Sequence, residues 1–225
     1  DRLVDVDLLD RASALLQGQV EFRLEGVEKA RVGAQLALVH ILAHEYEQAI
    51  QTLDESDGED LPEELAAQRQ HLRARSLMGQ ERIEDALALL KDDKSLDADL
   101  LRQEIFWNEH DWVQASQILS RLLRTYEAKA GQPLDDLQGG FVLNQAIAMT
   151  LSGNERGIDR LRRDFGVAMD DTQFRDAFRL IASPQTLGLI SFSSIAGKVA
   201  DVENFQTFMD AYQERLNELK LSAIN

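Results

Sequence analysis

Apolar residues recur along this chain at three- and four-residue steps, the period of a helix that buries one face. Leu8, Leu9, Ala12, Leu15, Leu16 and Val20 outline a first helix. Val27, Ala30, Ala34, Ala37, Leu38 and Ile41 outline a second, whose small residues allow a neighbouring helix to come close. The chain then turns near His44 and Glu45, and Tyr46, Ala49, Ile50 and Leu53 fall on one side of a short helix. The same arrangement returns as Ile83, Ala86, Leu87 and Leu90 after Gly79-Gln80-Glu81. It returns again as Trp112, Ala115, Ser116 and Leu119 after Glu109-His110-Asp111, continuing through Leu122, Leu123 and Tyr126. A weaker copy, Gly157, Ile158 and Leu161, comes after Ser152-Gly153-Asn154 and lacks the aromatic at its head. With the anchors at 49, 86, 115 and 157, subtraction gives spacings of 37, 29 and 42. The array is therefore irregular, with connections of variable length, and each unit has an apolar face for the next to cover.

Breakers fall between these units. The acidic run Asp54 to Asp60 repels itself and reads as a connector, with Pro62 expected in the first turn of the next helix. Lys91-Asp92-Asp93-Lys94, Gly131-Gln132-Pro133 and Ser183-Pro184 mark further connections. Past Ser183, a helix around Leu187 to Val199 and a terminal one carrying Val202, Phe205, Phe208, Met209, Tyr212, Leu216 and Leu219 predict a hairpin. Its last helix is apolar on one side and polar on the other, which suits a cap on the end of an array.

Composition narrows function more than fold. Of 225 residues, 3 are Pro and 13 are Gly, so little interrupts helix. The formal charge of -16 opposes nucleic acid, whose capture depends on Lys and Arg displacing counterions. Arg160, Arg162 and Arg163 form a local basic cluster, but Asp159 and Asp164 interrupt it, and it reads as a solvated helix face. With 0 Cys, disulfides, thiolate metal sites and cysteine nucleophiles are excluded. The most apolar stretch, Leu187 to Val199, is too short for the roughly 20 apolar residues of a membrane span, so no direct membrane insertion is expected. The chain opens at Asp1 with no leader in front, which is expected of a mature chain or a piece of a longer one.

The two-helix units resemble tetratricopeptide repeats. Ala37 and Ala49 stand twelve apart, as do Ala74 and Ala86, matching the family's two small residues where its helices cross, while Gln103 and Gln145 take the small residue's place in the other copies. Tyr46 and Trp112 fall where the family has a large residue three positions before the second small one. The spacings depart from the period of about 34 expected of a strict array, and the pattern covers residues 24 to 165. The opening Asp1 to Arg11 and the run Glu28 to Ala34 further resemble the C-terminal end of long bacterial envelope repeat proteins of unassigned activity, which implies a periplasmic or envelope location, the cytoplasm remaining open. The carboxylate clamp of some tetratricopeptide domains does not carry over, because Ala34 and Leu38 stand where that pattern has Lys and Asn.

The chain contains no phosphate loop, dinucleotide fingerprint, zincin helix or nucleophile elbow. His40 and His44 stand four apart, a spacing that suits two metal ligands, yet no third ligand is evident and both read as surface residues near a helix end. Asp57-Gly58 imitates the centre of a calcium loop, but Leu53 would occupy its first ligand position. No catalytic residue, metal site or cofactor is assigned. The expectation is an all-α, right-handed α-solenoid of stacked antiparallel helix pairs, about eleven helices in one continuous domain, with the array over 1–183 and the capping hairpin over 184–225. Its expected role is a non-catalytic scaffold for a protein or peptide. Arg31, Gln35, Gln68, His71 and Arg75, on the first helices, are the candidate partner-binding strip, polar and locally basic. The alternatives are a self-associating structural segment and an enzyme acting on cell-wall glycan through carboxylates.

Overall fold

A computed structural model of the chain describes residues 13–20 and 24–182. These are helical without strands: α1 (residues 13–20), α2 (Gly26–Leu42), α3 (Tyr46–Glu55), α4 (Glu63–Gly79), α5 (Ile83–Leu90), α6 (Leu96–Asn108), α7 (Trp112–Thr125), α8 (Asp136–Leu151), α9 (Glu155–Met169) and α10 (Arg175–Ile181). The expected hairpin over 184–225 lies outside the described residues, as do Leu8, Leu9 and Ala12 of the first predicted stripe. Within α1, Val20 is buried but Leu15 is 66% exposed, so the stripe read for that helix does not match a single covered face.

One turn recurs four times. Three residues separate α2 from α3, α4 from α5, α6 from α7 and α8 from α9, and the middle one always has positive φ: His44, Glu81, His110 and Gly153. In the first, His44 N–H donates to Ile41 O at 3.0 Å and Glu45 N–H to His40 O at 2.8 Å, the paired bonds of a Schellman close. The other three repeat both bonds, from Glu81 and Arg82, His110 and Asp111, and Gly153 and Asn154. Asp111 and Asn154 then cap the next helix through their side chains, accepting from Gln114 N and Gly157 N.

The repeated turn fixes the register of the units. Ala49, Ala86 and Ala115 each lie five residues past the left-handed residue, and in the fourth copy that place belongs to Ile158. The alignment of Gly157 with these alanines is therefore one residue out, and the last spacing is 43 by subtraction of the left-handed positions. The same shift restores a small residue to the first helix. Ala146, fully buried, occupies the place read as Gln145, while Gln145 donates to Ser120 Oγ.

Each helix from α2 to α9 packs on the next, and α2 also touches α4, α4 touches α6 and α8 touches α10. That series breaks once, since α6 and α8 are not in contact and α8 packs on α7 instead. The core runs through these junctions. Ala37, Ala49, Ala74, Ala86 and Ala115 are at 0% exposure, which lets the crossing helices approach, and Leu53, Leu90 and Leu119 fill the space beside them. Burying each such leucine contributes about 1.5–3 kcal/mol. Two predicted details shift: Pro62 sits one position earlier than expected, capping α4 rather than lying in its first turn, and α10 occupies a stretch for which no helix was predicted. Phe178 is the buried residue of α10, and its N-cap Phe174 is buried beside it.

Candidate interaction surface

The five candidate residues lie on α2 and α4, and the structure divides them. On α2 the buried set Ala30, Gly33, Ala34, Leu36, Ala37 and Ile41 turns Arg31 and Gln35 outward, one helical turn apart. Among the described residues Arg31 pairs with Glu28 alone, at 3.5 Å, with both side chains more than half exposed. On α4, Gln68 is exposed, and neither it nor Gln35 makes a side-chain hydrogen bond among the described residues.

His71 and Arg75 are placed differently. His71 Nε2 is 2.6 Å from Asp93 Oδ2 in the connection between α5 and α6, with both side chains under one fifth exposed. Arg75 Nη2 donates to Glu104 Oε2 on α6 at 2.7 Å. These two fasten α4 to the α5–α6 connection and to α6 itself, and each has a carboxylate in contact. The locally basic strip is thereby corrected: Asp93 and Glu104 lie 22 and 29 residues away in sequence, out of reach of any local reading. Burial raises the Asp93 carboxyl, yet hydrogen bonds from Ser95 and His71 outweigh it and hold the group at about 2 against an ordinary 3.8.

A feature that the sequence pattern does not announce underlies the surface. Arg69 is 6% exposed and donates from Nη1 to Ala30 O at 2.7 Å and Ser56 Oγ at 3.2 Å, and from Nη2 to Leu53 O at 2.5 Å. Burial pulls its guanidinium below the ordinary value, opposed by Asp57 at 3.6 Å. In the last turn of α3, Thr52 O and Asp54 O accept from Ser56 N and Asp57 N, while Leu53 O is met by Arg69, which thus closes that end of α3 from α4. Arg102 does the same from α6, donating to Leu90 O at the end of α5 and to Asp93 O at 2.6 Å. Gln138 does it from α8, donating to Tyr126 O at 2.7 Å. Arg102 also meets Asp99, which Arg121 of α7 grips through Nε at 3.0 Å and Nη2 at 2.6 Å. The one available signal for Arg69 is its place between Leu65 and Leu72 on the inward stripe of α4.

His44 is the left-handed turn residue rather than a helical one, with Nδ1 at 2.8 Å from the Tyr46 hydroxyl, and His40 Nδ1 is 2.7 Å from Glu45 Oε2. Among the described residues, no group of three or more His, Asp or Glu side chains is placed to hold a metal ion, and no helix is long and apolar enough to cross a membrane. Comparison with protein families, with curated proteins and with solved structures gives no match.

Proposed function

We propose that this chain is a tetratricopeptide-like, right-handed solenoid of antiparallel helix pairs that acts as a non-catalytic scaffold and holds a protein or peptide along its first helices. The supporting observation is that α2 and α4 touch while leaving Arg31, Gln35 and Gln68 exposed and without a buried partner. Polar groups carried on packed helices are ordered before a partner arrives, so less entropy is lost when they form hydrogen bonds. Arginine is also enriched among residues that dominate interface energies. His71 and Arg75 serve this reading indirectly, by fixing α4 against α6.

Display selection with random linear peptides tests the proposal. Wild-type chain should enrich one consensus, and the triple variant Arg31→Glu, Gln35→Ala, Gln68→Ala should bind a consensus peptide at least about tenfold more weakly, the equivalent of about 1.4 kcal/mol. Failure to enrich any consensus, or equal binding by the variant with helix content intact, would end the proposal.

A further inference from the structure

Most arginines of the described residues have a carboxylate in contact. Of fourteen, ten have a carboxylate oxygen within 4.0 Å. The four others are Arg124, Arg156, Arg160 and Arg163, and three of these lie on α9 at steps of four and three residues, which place them along one side of the helix. All three are exposed. In a chain with 40 acidic and 24 basic residues, carboxylates are in surplus, yet among the described residues none reaches this stripe. Glu155 and Asp164 share the helix and form no ion pair with it.

The interruption by Asp159, which in the sequence breaks up the cluster, is itself neutralised. Arg162 donates to Asp159 Oδ1 and to Ala182 O, both at 2.8 Å, so that acid is taken up by the one arginine already engaged elsewhere. What is left is an open depression of about 470 Å³ lined by Arg156, Asp159, Arg160, Arg162 and Arg163.

We propose that this stripe is a second binding surface, for an aspartate- and glutamate-rich peptide segment of a partner protein. It goes beyond the reading of α2 and α4 and does not depend on it. The geometry fits an extended acidic segment: Arg156 and Arg163 are about 10 Å apart along the helix axis at a rise of about 1.5 Å per residue. Alternate residues of an extended peptide are about 6.6–6.8 Å apart on one face, so two or three carboxylates meet the three arginines. Guanidinium forks pair with carboxylates through two parallel bonds, as they do with phosphates, so the choice of an acidic peptide rests on the small number of cations in the stripe. Long nucleic acid is disfavoured because three free cations release few counterions against a net charge of -16.

Fluorescence anisotropy at low salt with a labelled peptide alternating Glu and Ser tests this. The full chain should bind it saturably, and Arg156→Gln, Arg160→Gln, Arg163→Gln together should weaken binding about tenfold, as expected from three exposed charge pairs. A control of equal charge change, Arg82→Gln, Arg124→Gln, Arg175→Gln, should stay within about twofold, and a single-stranded oligothymidylate should bind more weakly than the peptide. Far-UV circular dichroism checks that each variant folds. If the triple variant does not, Arg160→Gln alone should cost about two- to threefold. No saturable binding, an equal loss in the control, or tighter binding of the oligonucleotide would each overturn the proposal.

Discussion

Replacing Arg69 with methionine tests how the helix pairs are joined. The side chain fills similar space but removes three charged hydrogen bonds, to Ala30 O, Leu53 O and Ser56 Oγ. Ser56 keeps its own bond to Thr52 O at 2.6 Å, so the hydroxyl is not stranded. Leu53 O is the acceptor that suffers, because it lies in the last turn of α3 with no helical donor. A stranded buried acceptor costs about 1–3 kcal/mol, and losing one partner of a buried charged arrangement about 3–5 kcal/mol. Relief of the desolvation that Arg69 itself suffers offsets part of this, so a net loss of about 3 kcal/mol is expected. At about 2–4 °C per kcal/mol for a chain of this size, the midpoint of thermal unfolding falls by about 6–12 °C. Urea unfolding followed by far-UV circular dichroism gives the free energy directly. Arg69→Lys keeps the charge but not the fork and should lose about 2 kcal/mol. If Arg69→Met unfolds within about 0.5 kcal/mol of wild type, a smaller change than the least costly stranded acceptor, the view that this guanidinium closes α3 is wrong.

Three further outcomes rest on the same geometry. Asp93, held at about 2, contributes stability that is fully present above its ordinary 3.8 and is lost as pH falls through 2. Asp93→Asn should therefore cost about 1–2 kcal/mol at pH 7 and only about 0.4 kcal/mol at about pH 2, vanishing below that, read from urea midpoints across that range. A Cβ on Gly33 would stand 1.9 Å from Ser56 Oγ and 2.3 Å from Ser56 Cβ, so Gly33→Ala should destabilise by about 1–3 kcal/mol. Adding Ser56→Gly should recover a measurable part of that loss in a double-mutant cycle. Glu81→Gly, at φ 61, should raise stability by about 0.5–1 kcal/mol, and Gly153→Ala, at φ 71, should lower it by about 1 kcal/mol in the matching turn. Equal small effects at both positions would show that the turns are not equivalent.

Much of the fold is legible in the sequence because its cause is local. The spacing of apolar residues marks the helices, and the three-residue turns occur at the breaks in that spacing, the second displaced by one residue to Gln80–Arg82. The fourth copy slips by one because Gly157 imitates the small residue of the pattern, whereas the position counted from Gly153 holds Ile158. α10 escapes such a reading because a seven-residue helix gives too little periodicity. The candidate surface is less legible. Exposure of Arg31, Gln35 and Gln68 follows from the stripe on each helix, but the engagement of His71 and Arg75 depends on Asp93 and Glu104, brought near by the path of the chain. Arg69 and Arg102 are invisible as closers of α3 and α5 for the same reason: their acceptors are main-chain atoms, which carry no sequence signature.

The constancy of the three-residue turn, set against connections of seven, five, ten and five residues after α3, α5, α7 and α9, has an evolutionary corollary. One residue added inside a turn would rotate the whole downstream helix by about 100°, moving its alanine out of the crossing point. The same insertion after a second helix leaves both neighbouring faces as they were. Gene-level tinkering with this protein is thus channelled into one class of joint, and a loop lengthened there can acquire new chemistry without disturbing the contacts on which the fold rests.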